Sequence, residues 1–154
     1  MLIQIFISFI ASLGFGIIFN IKGKKLFFAA LGGGLSWLCY LIFHNYNLSN
    51  ALSFFLSSII FSIYSEICAR ILKTPVTTIV VCSLIPLVPG AGMYYTMYET
   101  ITGDVSSAIE SGLSTIADAG SLALGVIFVS TITKQITNFK NIKSKSSKNK
   151  NNRI

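Results

Sequence analysis

The stretch Ser83–Gly92, which reads SLIPLVPGAG, contains the residues whose types and spacing most directly suggest chemistry. It lies in a strongly apolar part of the chain, where a buried helix would be expected. Pro86 and Pro89 each remove a backbone donor and clash with the preceding turn. Gly90 and Gly92 then permit a local change of direction. The pattern predicts a helix that is broken in the middle of an apolar segment.

A break of this kind offers unpaired main-chain groups to a small charged molecule. The prolines deprive the carbonyls of Cys82 and Ile85 of their helical partners, so these oxygens could hold a cation or an ammonium group. A helix that restarts near Ala91 would present its positive N-terminal end to a carboxylate. The alternative is a proline kink without a ligand, in which Thr78 or Ser83 satisfies the freed groups. The residues alone leave both interpretations open.

Acidic residues further along the chain suggest a role in coupling. Glu110, Ser114, Asp118 and Ser121 follow each other at spacings of four, four and three, which places them on one helix face. An ionisable group inside a membrane span is costly and is by default a functional hypothesis. Asp118, with Glu110 as a second candidate, could take up and release a proton during transport. Two alternatives stay open for Asp118: pairing with a cation of a partner subunit, or a shallow hydrated position.

Glu66 and Arg70 form a pair with the favourable i, i+4 spacing near the end of an apolar segment. A long cationic side chain at such a place extends to the membrane interface. We therefore favour interfacial anchoring over substrate contact for this pair.

The sequence lacks the residue sets that catalysis or metal binding requires. It has five acidic residues and one histidine, with no Ser/His/Asp set, no phosphate-binding glycine loop and no metal-ligand spacing. The three cysteines, Cys39, Cys68 and Cys82, lie in apolar segments and are interpreted as small buried hydrophobic residues. We expect no enzyme activity, no catalytic residues, no metal and no cofactor. Because there is also no ATP-binding module, transport would be driven by a gradient, as in an antiporter, or by another chain.

The composition is that of an all-α membrane protein. Of 154 residues, 53% are hydrophobic and 11% are charged, whereas soluble domains carry about 25% charged residues. The length allows about five transmembrane helices of roughly 20 residues. No cleavable signal peptide is evident, so the first apolar segment is taken as a retained span. The predicted spans are Leu2–Phe19, Leu26–Phe43, Leu48–Leu72, Val76–Tyr98 (broken at Pro86, Pro89 and Gly90) and Gly112–Thr133.

The basic residues predict the orientation of the spans. All 12 fall in three clusters that follow the first, third and fifth predicted spans. The connection Glu99–Ser111 after the fourth span carries acidic residues and no Lys or Arg. The positive-inside rule therefore predicts an N-terminus outside and a C-terminus inside the cell.

The chain is divided into a five-span transmembrane domain, residues 1–137, and a basic tail, residues 138–154. The tail is rich in Lys, Asn and Ser, so we expect it to be disordered, cytoplasmic and in contact with anionic lipid rather than nucleic acid. Small residues at helical spacing would allow helices to pack closely and would permit a homo-oligomer. These pairs are Ala29 and Gly33, Ala30 and Gly34, and Ser121 and Gly125.

Four stretches carry a resemblance to a known family. They are IPLVPGAGMYYTM from Ile85, SEICAR followed by LKTPVT from Ser65, GFGIIFNIKGKKL from Gly14 and AGSLALGV from Ala119. The chain resembles the small, YjjB-like subunit of the two-component threonine/serine exporter family, over nearly its whole length up to about Lys134. Asp118 and the basic tail are not part of that family pattern.

The resemblance implies a fold, a substrate class and a partner. The family's larger subunit carries a hydrophilic domain and about five related spans, and the two halves are thought to form one carrier in a bacterial plasma membrane. Members export threonine and serine, and a related pair is associated with succinate. The alternative is a non-transporting membrane subunit that assembles or stabilises the larger chain. The predicted substrate-binding residues are Pro86, Pro89, Gly90, Ala91, Gly92 and Tyr95.

Overall fold

The computed structural model describes the backbone of residues 1–151 and the side chains of residues 1–137. The described residues form helices and connections, with no strand, as the composition predicts. The helices are α1 (Leu2–Ile18), α2 (Lys24–Asn45), α3 (Asn50–Ile71), α4 (Val76–Leu84), α5 (Gly90–Thr102) and α6 (Val105–Asn151). A single 3₁₀ turn, Ile85–Leu87, follows α4 directly.

The predicted break in the fourth apolar segment is confirmed. The unit of α4 and the 3₁₀ turn is bent by 49° relative to α5. This bent pair, with Lys24–Asn45, Asn50–Ile71 and Val105–Thr137, gives three to four candidate membrane spans among the described residues. The helix Leu2–Ile18 is apolar but shorter than these.

Local sequence signals explain where several helices begin and end. The side chain of Ser49 caps α3 by accepting a hydrogen bond from the amide of Leu52 at 3.4 Å. Pro75 directly precedes α4, where its missing amide is not needed. Gly103 ends α5 with a φ of 87°, a left-handed conformation that glycine adopts readily.

Two predicted boundaries differ from the structure. The connection Glu99–Ser111 is helical except at Gly103 and Asp104, and α6 begins at Val105 rather than at Gly112. Asp104 explains the early start, because its carboxylate accepts hydrogen bonds from the amide and hydroxyl of Ser107 at 3.2 and 2.7 Å. Hydropathy indicates where a helix becomes apolar, and a capping residue determines where it begins.

The predicted tail lies mostly outside the described side chains. The backbone of α6 continues as helix to Asn151, through most of the segment 138–154. Residues 152–154 and the side chains from residue 138 onward are outside the described residues. The domain division, the disorder and the lipid contact of the tail therefore stay predictions.

Helix α3 lies at the centre of the bundle, where it packs against α2, α4 and α6, while α1 packs against α2. One buried cluster joins α2, α3 and α4 and includes two cysteines, Cys68 and Cys82. A second buried cluster, called here the apolar plug, consists of Phe54, Phe61, Leu87 and Leu122. All three cysteines are buried and free, which agrees with their interpretation as packing residues.

Small residues make these helix contacts close. The predicted small-residue positions of α2, from Ala29 to Gly34, are buried. Three glycines are so near a serine of a neighbouring helix that a Cβ would collide with its hydroxyl. The pairs are Gly32 with Ser83, Gly33 with Ser12 and Gly125 with Ser58. Close backbone approach of this kind is how helices associate where the hydrophobic effect is weak.

Two of the glycines of α6, Gly120 and Gly125, provide a matched test of this packing. Gly125→Ala would place a Cβ against the Ser58 hydroxyl and 2.9 Å from the carbonyl oxygen of Phe55. We expect it to destabilise the fold by about 1–3 kcal/mol, as overpacking does. Gly120→Ala meets no atom within 4 Å and should leave stability unchanged or raised. Thermal unfolding in detergent measures both, and equal midpoints would contradict the packing.

Candidate functional site

The break between α4 and α5 satisfies more of its backbone than the prolines alone would suggest. The amide of Val88 donates to the carbonyl of Ile85 at 3.3 Å, so this oxygen is not free as expected. The amide of Gly90 donates to the carbonyl of Val88 at 2.7 Å, across Pro89 with φ −75° and ψ 58°. These angles are those of an inverse γ-turn. The 3₁₀ turn and the γ-turn thus pair the carbonyls of Ile85 and Val88.

The glycines of the motif have a different role from the predicted one. Neither Gly90 nor Gly92 has a positive φ, and the chain changes direction at Val88 and Pro89. A Cβ on Gly92 would collide with the side chain of Thr115, whereas a Cβ on Gly90 would meet nothing within 4 Å. Gly92 therefore lets α5 approach α6, and no steric reason in the described residues requires glycine at position 90.

The first turn of α5 retains unpaired amides. The first backbone bond of this helix runs from the amide of Met93 to the carbonyl of Pro89 at 3.2 Å. The amides of Ala91 and Gly92 find no acceptor among the described residues. Unpaired amides at a helix N-terminus carry partial positive charge, so they can bind an anion. This part of the predicted chemistry agrees with the geometry.

The predicted substrate-binding residues do not converge on one enclosed pocket. Pro86 is half-buried against α2, with its Cγ 3.5 Å from the position of a Cβ on Gly33. Gly90, Ala91 and Tyr95 are exposed, and α5 has no buried residue. Helix α5 packs mainly against α6. The break thus presents its amides along an open face of the bundle.

Helix α6 brings one acidic residue to the level of this break. Gly92 faces Thr115, and the position of a Cβ on Gly112 lies 3.3 Å from the Cγ2 of Thr96. Helices α5 and α6 therefore run antiparallel, and Asp118, nearly one turn beyond Thr115, is level with the start of α5.

The two predicted coupling residues have different surroundings. Asp118 is half-buried. Glu110 is exposed and lies about 12 Å further along α6, at 1.5 Å per residue. Only Asp118 is therefore at the level of the break.

The structure also contains a groove that the sequence analysis did not predict. It lies between α3, α4 and α6 and has a volume of about 520 Å³. Its mouth carries the charged residues Glu66, Arg70 and Lys134, and valines of α4 and α6 form its apolar wall. We call this feature the α3/α4/α6 groove.

Arg70 organises the mouth of the groove. Its Nη2 donates to the Oγ1 of Thr137 at 2.9 Å, and its Nε lies 3.7 Å from the Oε2 of Glu66. The Glu66 side chain is only 14% exposed, whereas that of Arg70 is 52% exposed. The pair that the sequence analysis assigned to anchoring thus also connects α3 to α6 and lines a groove. The spacing of Glu66 and Arg70 was the available signal, but their contact with Thr137 depends on tertiary structure.

The inner part of the groove reaches a buried hydroxyl. Ser62 lines it with 2% exposure, and its hydroxyl has no hydrogen-bond partner among the described residues. Val80 and Val126 line the groove and also pack against the apolar plug. The plug therefore lies behind this part of the groove wall.

Within the described side chains, members of the first two basic clusters and the start of the third lie at one end of the bundle. A second groove of about 450 Å³ places Lys22 and Lys25 beside Thr74 and Thr78. The Arg70–Thr137 bond connects the second cluster to the start of the third. The segments that follow α1 and α3 therefore lie next to each other, and the segment that follows the spanning part of α6 begins beside them.

The arrangement is suited to binding small charged molecules. Among the described residues, no group of three or more His, Cys, Asp or Glu side chains is close enough to hold a metal ion. The polar groups that do converge are amides, hydroxyls, one ion pair and isolated charges. Such groups bind carboxylates and ammonium groups.

The comparison with protein families gives one match. The family described as "Threonine/Serine exporter, ThrE" matches residues 4–132, which include nearly all of α1, all of α2 to α5 and most of the apolar part of α6. No curated protein and no solved structure matches the chain.

The two glycines at the start of α5 separate a packing role from a conformational one. Gly92→Ala should push α5 away from Thr115 and lower the midpoint of thermal unfolding in detergent. Gly90→Ala should leave that midpoint close to the wild-type value, because its Cβ enters open space. An equal loss in both variants would show that the close contact with α6 is not what requires glycine.

The cap of α6 predicts a pH dependence. The hydrogen bonds from the side chain and amide of Ser107 hold the pKa of the Asp104 carboxyl below its ordinary value. A lowered pKa gives stability that is complete above the ordinary pKa and is lost as the pH falls through the lowered one. Wild type should therefore be more stable than Asp104→Asn at neutral pH, and the difference should disappear in acid. A pH series of thermal midpoints tests this, and a constant difference would contradict it.

Proposed function

The chain belongs to the threonine/serine exporter family, and from this premise we propose that it is a subunit of a secondary transporter that exports small carboxylate-bearing metabolites. Threonine and serine are the foremost substrates, and a dicarboxylate such as succinate is the second choice. The observation that carries the proposal is the family match over residues 4–132, which includes the broken fourth segment. The family is one of membrane exporters, and the apolar helices are those of a membrane protein.

We propose five spans, with the bent pair counted as one and α1 included. Their orientation would place the N-terminus outside and the C-terminus inside a bacterial plasma membrane. The basic clusters support this orientation, because their members with described side chains lie at one end of the bundle and positive charge favours the cytoplasmic side. The basic tail would then contact anionic lipid of the inner leaflet.

We propose the break as a substrate site within the membrane. The unpaired amides of Ala91 and Gly92 would receive a carboxylate, as helix N-termini do in transporters built from broken helices. Asp118, level with these amides, would face an ammonium group or carry a coupled proton. Asp118 is preferred over Glu110 for coupling because it is half-buried and close to the break.

We further propose that a larger subunit with about five related spans covers α5 and the adjoining face of α6. In the most apolar part of α6, 17% of the residues are buried. The corresponding share is 39% for α2 and 44% for α3. The N-terminal amides of α5 are on the same open side, where a bare backbone donor would be costly in lipid. A second copy of this chain is the alternative occupant of that surface.

Substitutions at the break test the function. Pro86→Ala, Pro89→Ala and Gly90→Leu should reduce threonine efflux by about tenfold or more, the scale of a lost hydrogen bond to a charged group. Efflux of threonine, serine and succinate is measured from cells that express the chain with and without the larger subunit. Gly120→Ala, whose Cβ meets no atom within 4 Å, is the matched control.

Co-purification of the two subunits distinguishes transport from assembly. Lost efflux with an intact complex supports a site at the break. Normal efflux with an intact complex places the site elsewhere in the carrier. Loss of the complex in the break variants, with efflux restored when assembly is restored, would favour the alternative of a non-transporting assembly subunit.

A further inference from the structure

We propose that the α3/α4/α6 groove is an entry site that binds the whole zwitterion of a hydroxylated amino acid before it reaches the break. The inference rests on the proposed export function for its direction of movement. It assigns binding to residues remote from the conspicuous proline motif. The proposed ligand carries a carboxylate, an ammonium group and a short hydroxylated side chain.

The mouth of the groove offers both charges that an amino acid requires. Arg70 is held in place by Thr137 and Glu66, yet half of its side chain is exposed. Lys134 adds a second cation on the α6 side. These two cations can receive a carboxylate, and Glu66 can receive an ammonium group. A dicarboxylate would lack the group that Glu66 recognises.

The interior of the groove suits a small hydroxylated side chain. Ser62 is one turn from Glu66 on α3, about 6 Å along the helix axis at 1.5 Å per residue, and both side chains line the groove. Its buried hydroxyl has no partner among the described residues, so a ligand hydroxyl would satisfy it. Ser130 lies on the facing helix, and Val80, Val126 and other apolar residues surround both. A methyl group, as in threonine, would find apolar contacts there.

The size of the groove is that of a binding site for a small molecule. Small-molecule sites have volumes of about 300–1,000 Å³, and this groove has about 520 Å³. It opens at the end of the bundle that carries the basic clusters. Behind Val80 and Val126 of its wall lies the apolar plug, which contains Leu87 of the 3₁₀ turn. A bound amino acid would therefore be separated from the break by a few buried apolar side chains.

Direct binding of labelled L-threonine to the full-length chain in lipid nanodiscs tests the inference. Glu66→Gln and Arg70→Gln should each weaken binding by about tenfold or more, because each loses a charge-assisted contact. Lys73→Asn is the matched control: it removes a basic charge at the same end, and Asn tolerates the φ of 47° at this position. It should bind threonine as the wild type does.

Ser62→Ala separates recognition from stability. Since the Ser62 hydroxyl makes no hydrogen bond within the described residues, its removal should not lower the thermal midpoint. Competition by unlabelled L-threonine should become weaker in this variant, while competition by L-valine, which lacks the hydroxyl, should not change. Equal effects of Ser62→Ala on competition by threonine and by valine would overturn the proposed contact between the ligand hydroxyl and Ser62.

The remaining outcomes separate this inference from the export function. Saturable binding that the three groove variants do not change, or no saturable binding by the wild type, overturns the inference even if cells export threonine. Groove-dependent binding without any efflux from cells that express both subunits supports the inference and overturns the export function. Competition by threoninol or N-acetylthreonine as strong as by threonine would also overturn it, because these compounds lack the carboxylate or the charged amine.

Discussion

The requirement that backbone polar groups be paired where water is absent governs the architecture around the break. A helix interrupted by two prolines inside an apolar segment loses bonds that lipid cannot replace. One 3₁₀ turn and one γ-turn follow the break, and they pair the carbonyls of Ile85 and Val88. The amides of Ala91 and Gly92 stay without an acceptor among the described residues. The same turn directs Leu87 into the core and α5 away from α4. The burial of Leu87 in the apolar plug and the exposure of α5 therefore have the same cause.

In the rest of the bundle, helices are held together more by the close approach of small residues than by polar contacts between helices. Glycines and serines face each other across α1, α2, α3, α4 and α6, and several serine hydroxyls bond to carbonyls of their own helix. Such bonds remove the cost of a buried hydroxyl without committing it to a neighbouring helix. Ser12, Ser57, Ser62 and Ser65 lack even these partners among the described residues. The interior of the bundle therefore keeps hydroxyl groups that could form hydrogen bonds with a polar ligand, most clearly that of Ser62.

Much of the fold, and less of the site, could be predicted from the sequence. Helical class, the break at Pro86–Gly90 and the burial of Ala29, Ala30 and Gly33 follow from local chemistry, and the structure contains each of them. The start of α6 was missed because hydropathy does not detect a cap such as Asp104. The role of Gly92 was misassigned because its reason is a contact with Thr115, 23 positions away in the chain. The groove depends on Arg70 reaching Thr137 across the bundle, which spacing along one helix does not encode.

The continuity of α6 has a mechanical consequence. One unbroken helix carries Thr115 against α5 and, at its other end, Ser130 and Thr133 along the groove. Between them lies Gly125, pressed closely against Ser58 of the central helix. A tilt of α6 about this contact would move its two ends in opposite directions, so that widening on the groove side accompanies a shift of α5 at the other end. The contact between Gly125 of α6 and Ser58 of α3 is thus also placed to act as a pivot between the groove and the start of α5.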